Sequence, residues 1–142
     1  MFVSIIERLN ATAPSLASVE FAEDLDVVAK GVQRASTTTF VVPQPEKASP
    51  NRLATGHRQL VQVRFLVATI LRYHSDNTGR MRAEEFDRFK GEIEDALTGW
   101  EPTDASDPCS LVGTEPTPMP NGVTIFVGIW ETSRYLTDKD TP

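Results

Sequence analysis

The chain has little from which to build a catalyst. It holds one cysteine, Cys109, and two histidines, His57 and His74, in 142 residues. A single cysteine excludes an internal disulfide and a thiolate metal cluster, and it fits a reducing compartment. No glycine-rich phosphate loop, GxSxG or HExxH occurs. Positive charge is in deficit: 14 Lys and Arg stand against 20 Asp and Glu, for a net charge of −6. Without a basic stripe, tight binding to a phosphate backbone is not expected, and an acidic surface keeps DNA from adhering. The longest near-apolar run, Phe65 to Leu71, is far too short to cross a bilayer. The opening MFVSIIERLN lacks the basic start, long apolar stretch and cleavage site of a secretory signal. These absences predict a protein that is soluble or assembled inside a cell.

What the chain does have is a long stretch of period-two hydrophobicity. In LVQVRFLVATILRY, Leu60 to Tyr73, the odd positions from Val61 are apolar except Thr69, while the even positions mix Gln62, Arg64 and Arg72 with Leu66, Ala68 and Ile70. Alternation of this kind marks a β-strand with one face committed to a core. Its span of about 46 Å exceeds what a small core requires. A second long strand is expected over Val123 to Leu136, VTIFVGIWETSRYL, introduced by the hairpin-turn signal Asn121-Gly122. It has Val123, Ile125, Val127 and Ile129 on one face, Phe126, Trp130 and Arg134 on the other, and Gly128 between the two aromatics.

Helical spacing recurs elsewhere. Phe2, Ile5, Ile6 and Leu9 predict an amphipathic helix over residues 2–11, closed by Pro14. An extended piece is expected over Leu16 to Phe21, and a short helix over Ala22 to Lys30 with Gly31 as its stop. Met81, Phe86, Phe89, Ile93, Ala96 and Leu97 give the clearest helix, residues 80–98, with Gly99 as its cap and Trp100 able to fold back over its end. Ser36 to Val42 is β-branched and reads as a strand. Ser110 to Met119, interrupted by proline, belongs at a sheet edge. Pro43 to Gly56 carries three prolines and few apolar residues and is expected to project as a loop.

The order is therefore α-α-β-β-α-β-β in one domain, residues 1–142, with a projecting loop at 43–56 and a polar tail at 137–142. The fold class is α+β: an antiparallel or mixed sheet of four to five strands with two to three helices on one face. The expected core comprises Phe2, Ile6, Leu9, Val61, Val63, Phe65, Val67, Phe86, Phe89, Ile93 and Leu97.

Each candidate for chemistry has a plainer reading. His74-Ser75-Asp76 contains the residue types of a hydrolase triad, but neighbours in sequence rarely face one another, and the trio sits in a turn signal. His57 has no partner at metal spacing. The carboxylates of helix 80–98 alternate with Arg88 and Lys90 as in a solvated face. Asp104 and Asp107 are expected to raise the pKa of Cys109. No catalytic, metal or cofactor residue is nominated. Both long strands carry apolar groups on both faces, and one layer of helices covers only one. The other face is expected to meet solvent or a partner. Partner contacts are accordingly placed on Lys47, Asn51 and Arg52 of the loop, on Arg64 and Arg72, about 26 Å apart along the strand, and on Trp130 and Arg134.

Taken together, the N-terminal helix, TTTFVVPQPE, LATGHRQLVQVRFLVATILRY, the helix closing in ALTGWEP, SLVGTEP and NGVTIFVGIWETSRYL resemble the tail terminator proteins of Mu-like and related long-tailed bacteriophages. The likeness runs from about residue 2 to residue 136 and is carried mostly by the LATG-to-strand junction and the GW.P after the helix. It implies a structural virion protein at the head–tail junction, assembled in the bacterial cytoplasm. It further implies a homohexameric ring that caps the tail-tube protein, stops its polymerisation, and offers a surface to a head-completion or connector protein while DNA passes through the lumen. No catalytic residue or cofactor is implied. A neck or head-completion protein, or a small host α+β ligand-binding protein, are the alternatives.

Overall fold

The structure is a computed structural model that describes residues 1–16, 18–30, 39–72, 79–119 and 123–138. Its elements run α1 (Phe2–Thr12), β1 (Val19–Phe21), α2 (Leu25–Lys30), β2 (Thr39–Pro43), β3 (Lys47–Ala48), β4 (Arg58–Arg72), α3 (Gly79–Leu97), β5 (Ser110–Met119) and β6 (Val123–Thr137). The expected turn residues His74-Ser75-Asp76 and Asn121-Gly122 lie outside the described residues.

The strands form one mixed sheet in the order β1-β2-β4-β6-β5, with β3 also on β4. Among the described strands only the β1–β2 pair is parallel; β4 and β6 pair antiparallel along their entire length, Arg58 opposite Thr137 and Arg72 opposite Val123. The α+β class holds, with six strands instead of four to five, because part of the expected loop is itself a short strand. The proline-bearing β5 lies at the sheet edge, as its missing N–H donors require.

The odd face of β4 is the main core. Phe65, Val67 and Leu71 are buried with Phe126 and Trp130 of β6, Ile5 and Leu9 of α1, and Phe89, Ile93, Ala96 and Leu97 of α3. Of the expected core, Phe2, Ile6 and Phe86 are half-buried against this cluster; the Phe86 ring meets that of Phe126 edge-on at 4.7 Å. Thr69, the polar exception in the odd series, is fully buried, and its hydroxyl lies 3.1 Å from that of Thr39, the residue directly opposite on β2. The cap of α3 forms as expected: Gly99 has a φ of 74°, and the Trp100 amide donates to the Leu97 carbonyl. Arg8 of α1 donates to the carbonyl of Ala96 at 2.9 Å and lies over the Trp100 ring, tying the two helices together.

The even face of β4 departs from expectation. Leu66, Ala68 and Ile70 are not left for a partner; they are buried with Phe40, Val42, Ile125 and Val127, beneath Ala22 and Val28. The reason is topological. The chain enters β2 from β1 through α2, and this crossover places Val28 over the second face.

Candidate interaction surface

At the far end of the long strands Val61 and Val63 are still buried, and the exposed side chains lie beyond them. β2 stops at Pro43, opposite Phe65, while β4 continues from Phe65 down to Arg58. The segment after β2 does not leave the sheet. The Gln44 amide donates to the Arg64 carbonyl at 3.1 Å, Lys47 and Ala48 pair with Gln62 and Val61, and the Ser49 amide donates to the Leu60 carbonyl at 2.8 Å. The first part of the expected projecting loop thus runs along β4 in a ribbon with β6, with Lys47 and Ala48 as its short strand β3, because its backbone groups find partners along the exposed side of β4. Past this last bond the tip, residues 50–57, runs free of strand pairing.

Asn51 shapes that tip. Its side-chain carbonyl accepts from the amides of Leu53 (3.3 Å) and Arg58 (3.1 Å), and its amide donates to the Gly56 carbonyl at 3.2 Å. Gly56 has a φ of 80°, a left-handed conformation that suits a residue without Cβ. The Gln59 side chain adds a bond to the Ser49 carbonyl.

The residues nominated from sequence fall into three groups. Lys47, Asn51 and Arg52 are exposed on this ribbon. Arg64 and Arg134 are on it too, but each already has an anionic neighbour: Arg64 lies 3.5 Å from Glu131 directly opposite, and Arg134 lies 2.9 Å from Glu46. These are surface pairs worth about 0–1 kcal/mol each; their effect is to set charge positions along the ribbon. Arg72 ends β4, and its side chain is outside the described residues. Trp130 is misplaced by the sequence argument. It is 1 % exposed and belongs to the core beneath α3, because the even face of β6 continues the odd face of β4.

The partner contacts nominated from sequence did not include the exposed apolar groups at the ribbon's end. Leu53, Tyr135 and Leu136 are exposed, and the Arg58 guanidinium lies 4.1 Å from the centre of the Tyr135 ring. Ser49, Pro50, Arg52, Leu53, Arg58, Leu60 and Tyr135 line an open groove. The signal for these positions was the excess length of β4; alternation alone does not separate an apolar residue inside a core from one beyond its edge.

Cys109 sits elsewhere, under the end of α3, where its amide donates to the Trp100 carbonyl at 2.8 Å. Burial pushes its thiol pKa up to about 12 from 9.0. The expected direction is right, but the cause is loss of solvent and not the neighbouring carboxylates. The native thiol should therefore resist a thiol-selective reagent at pH 8 and react at once when urea unfolds the chain. The same shift makes the folded state lose stability as pH rises from about 9 towards 12, where the unfolded chain releases a proton that the folded one retains.

Between α3 and the β5–β6 pair, Val67, Ile93, Leu111, Phe126, Gly128 and Trp130 help to line a cleft with room for about one water molecule. Lys90, Glu94 and Thr114 border it too, but no polar surface opens into it, whereas a ligand pocket requires convergent polar groups. Among the described residues, no group of three or more His, Cys, Asp or Glu is placed to hold a metal ion, and no helix is long and apolar enough to cross a membrane.

A family model described as "Phage tail terminator protein" matches residues 2–140. Among solved structures, a chain from "Virion of native gene transfer agent (GTA) particle" superposes with a TM-score of 0.51 at 14 % identity, covering 92 % of this chain and 91 % of that one. At that identity the likeness is one of fold. Comparison with curated proteins gives no match.

Proposed function

Since this chain belongs to the phage tail terminator protein family, we propose that it assembles as a sixfold ring that caps the tail tube at the head–tail junction and halts tube growth. The role is structural, without catalysis or cofactor. One face of the ring matches the growing end of the tube and the other does not reproduce it, so no further tube subunit can add. The second face is left for a head-completion or connector protein, and DNA crosses the lumen without specific binding.

The observation that most supports this reading is the ribbon of β3, β4 and β6. It extends past the two buried clusters of the sheet, keeps Val61 and Val63 buried within itself, and carries exposed apolar side chains at its end. A chain folding only for its own stability gains little from Leu53, Tyr135 and Leu136 in water; contact with another subunit recovers that apolar burial.

The test is tube polymerisation. Purified tube protein assembling with this protein present should give short tubes of uniform length by negative-stain electron microscopy, with this protein at one end. Unaltered tube lengths, with no co-sedimentation, would overturn the proposal. Binding to the portal side alone would move the assignment to a neck protein.

A further inference from the structure

Charge is distributed unevenly over this fold. The ribbon, residues 44–64 and 131–137, contains five cations and two carboxylates; the remainder of the chain contains nine cations and eighteen carboxylates. Glu46 and Glu131, the two ribbon carboxylates, lie against Arg134 and Arg64. The positive excess therefore rests on Lys47, Arg52 and Arg58, and the last two border the exposed Leu53 (49 %) and Tyr135 (46 %).

The opposite composition is found elsewhere: residues 91–133 hold eight carboxylates and no cation, with Leu111 and Val112 exposed among them, and a shorter, denser acidic stretch lies between β1 and α2. From Glu20 to Asp26 the chain reads EFAEDLD, four carboxylates and no cation. This corner between β1 and α2 exposes Phe21 (47 %), whose ring also meets that of Phe2 at 5.9 Å, and Leu25 (40 %), with their sequence neighbours Glu23 and Asp26 exposed too. Both surfaces thus place two large apolar groups among charges of one sign, and the signs are opposite.

One copy cannot join its own two surfaces. Phe21 lies opposite Val41, and Val41 opposite Val67; Arg58 is nine positions further along β4, about 30 Å away. A contact between unlike patches on successive copies is heterologous, and a repeated heterologous contact closes into a ring when its rotation allows.

We infer that the ribbon tip around Arg52, Leu53, Arg58 and Tyr135 docks on the β1–α2 corner around Phe21, Glu23, Leu25 and Asp26 of the next copy. The inference deepens the ring reading and rests on it. Apolar groups supply burial, and the opposed charges fix the order of copies and repel the wrong pairings of tip with tip and corner with corner. Tyr135, held under the Arg58 guanidinium, is the kind of anchor that interfaces favour.

The experiment reverses charge on each side and then mixes the products. Arg52→Glu with Arg58→Glu gives one variant, and Glu23→Lys with Asp26→Lys gives the other. All four positions are exposed, so both should keep the wild-type circular dichroism spectrum. Sedimentation velocity at low salt should show a ring for the wild type. Each variant alone should associate at least about a hundredfold more weakly. An equimolar mixture should restore the ring, because copies can alternate with every contact matched in sign. A wild-type ring whose size survives either reversal, or a mixture that fails to reassemble, overturns this contact and leaves the ring standing. Loss of duplex-DNA binding by the Arg variant with the ring intact also overturns it, in favour of a nucleic-acid role for the tip. A wild type that stays monomeric, alone and with tube protein, removes the ring and this contact with it.

Discussion

Truncation of Trp130 to alanine is expected to destabilise the fold by about 3–5 kcal/mol, a large part of the 5–15 kcal/mol that typically holds a domain together. The indole is 1 % exposed and sits in the cluster formed by Phe65, Val67, Phe126 and Ile93. Neighbouring Gly128 is part of the same arrangement: a Cβ built there would lie 3.0 Å from the indole nitrogen, so glycine leaves the ring its place. The indole nitrogen has no hydrogen-bond partner among the described residues. Phenylalanine at 130 should therefore cost much less than alanine, since it gives up an unpaired N–H and retains most of the volume. Urea unfolding followed by circular dichroism measures both. A loss below about 1 kcal/mol for Trp130→Ala, accompanied by failure to assemble, would return Trp130 to the interface where the sequence argument placed it.

The second large effect is predicted for the threonine pair. Thr39 and Thr69 are each 0 % exposed, and their hydroxyls meet at 3.1 Å across the β2–β4 register. Replacing either one by valine strands the other hydroxyl away from water, at a cost of about 1–3 kcal/mol. Replacing both removes donor and acceptor together while keeping the branched shape that strands favour, so the double variant should be near neutral. The four proteins form a cycle, and their denaturant midpoints should give a coupling energy of at least about 1 kcal/mol. Additive losses would show that the two hydroxyls are satisfied independently.

Thr69 also marks the limit of what alternation reveals. From sequence it is one polar residue in an apolar series, equally compatible with a solvent-facing break. Its partner lies 30 residues away in the chain, and only strand pairing brings the two together. Arg134 and Glu46 are similar: 88 residues separate them, and nothing local links the two. By contrast, the cap at Gly99, the helix under Phe89, Ile93 and Leu97, and the edge position of β5 were all legible, since each follows from the local chemistry of its own residues.

By itself, then, the sequence determined where the helices and the longer strands lie, which face of each is apolar, and that β4 and β6 outrun a small core. Backbone stereochemistry and side-chain period are local properties, and they are written in order along the chain. Tertiary structure alone decided what covers each face. It set Val28 over Leu66, Ala68 and Ile70, buried Trp130, folded residues 44–49 back along β4, and gathered the cations of the ribbon at the end opposite the acidic corner. An apolar face requires burial but does not specify by what, because hydrophobic attraction has no direction. Topology supplied that choice here, and the surface it left uncovered is the one we assign to the neighbouring copy.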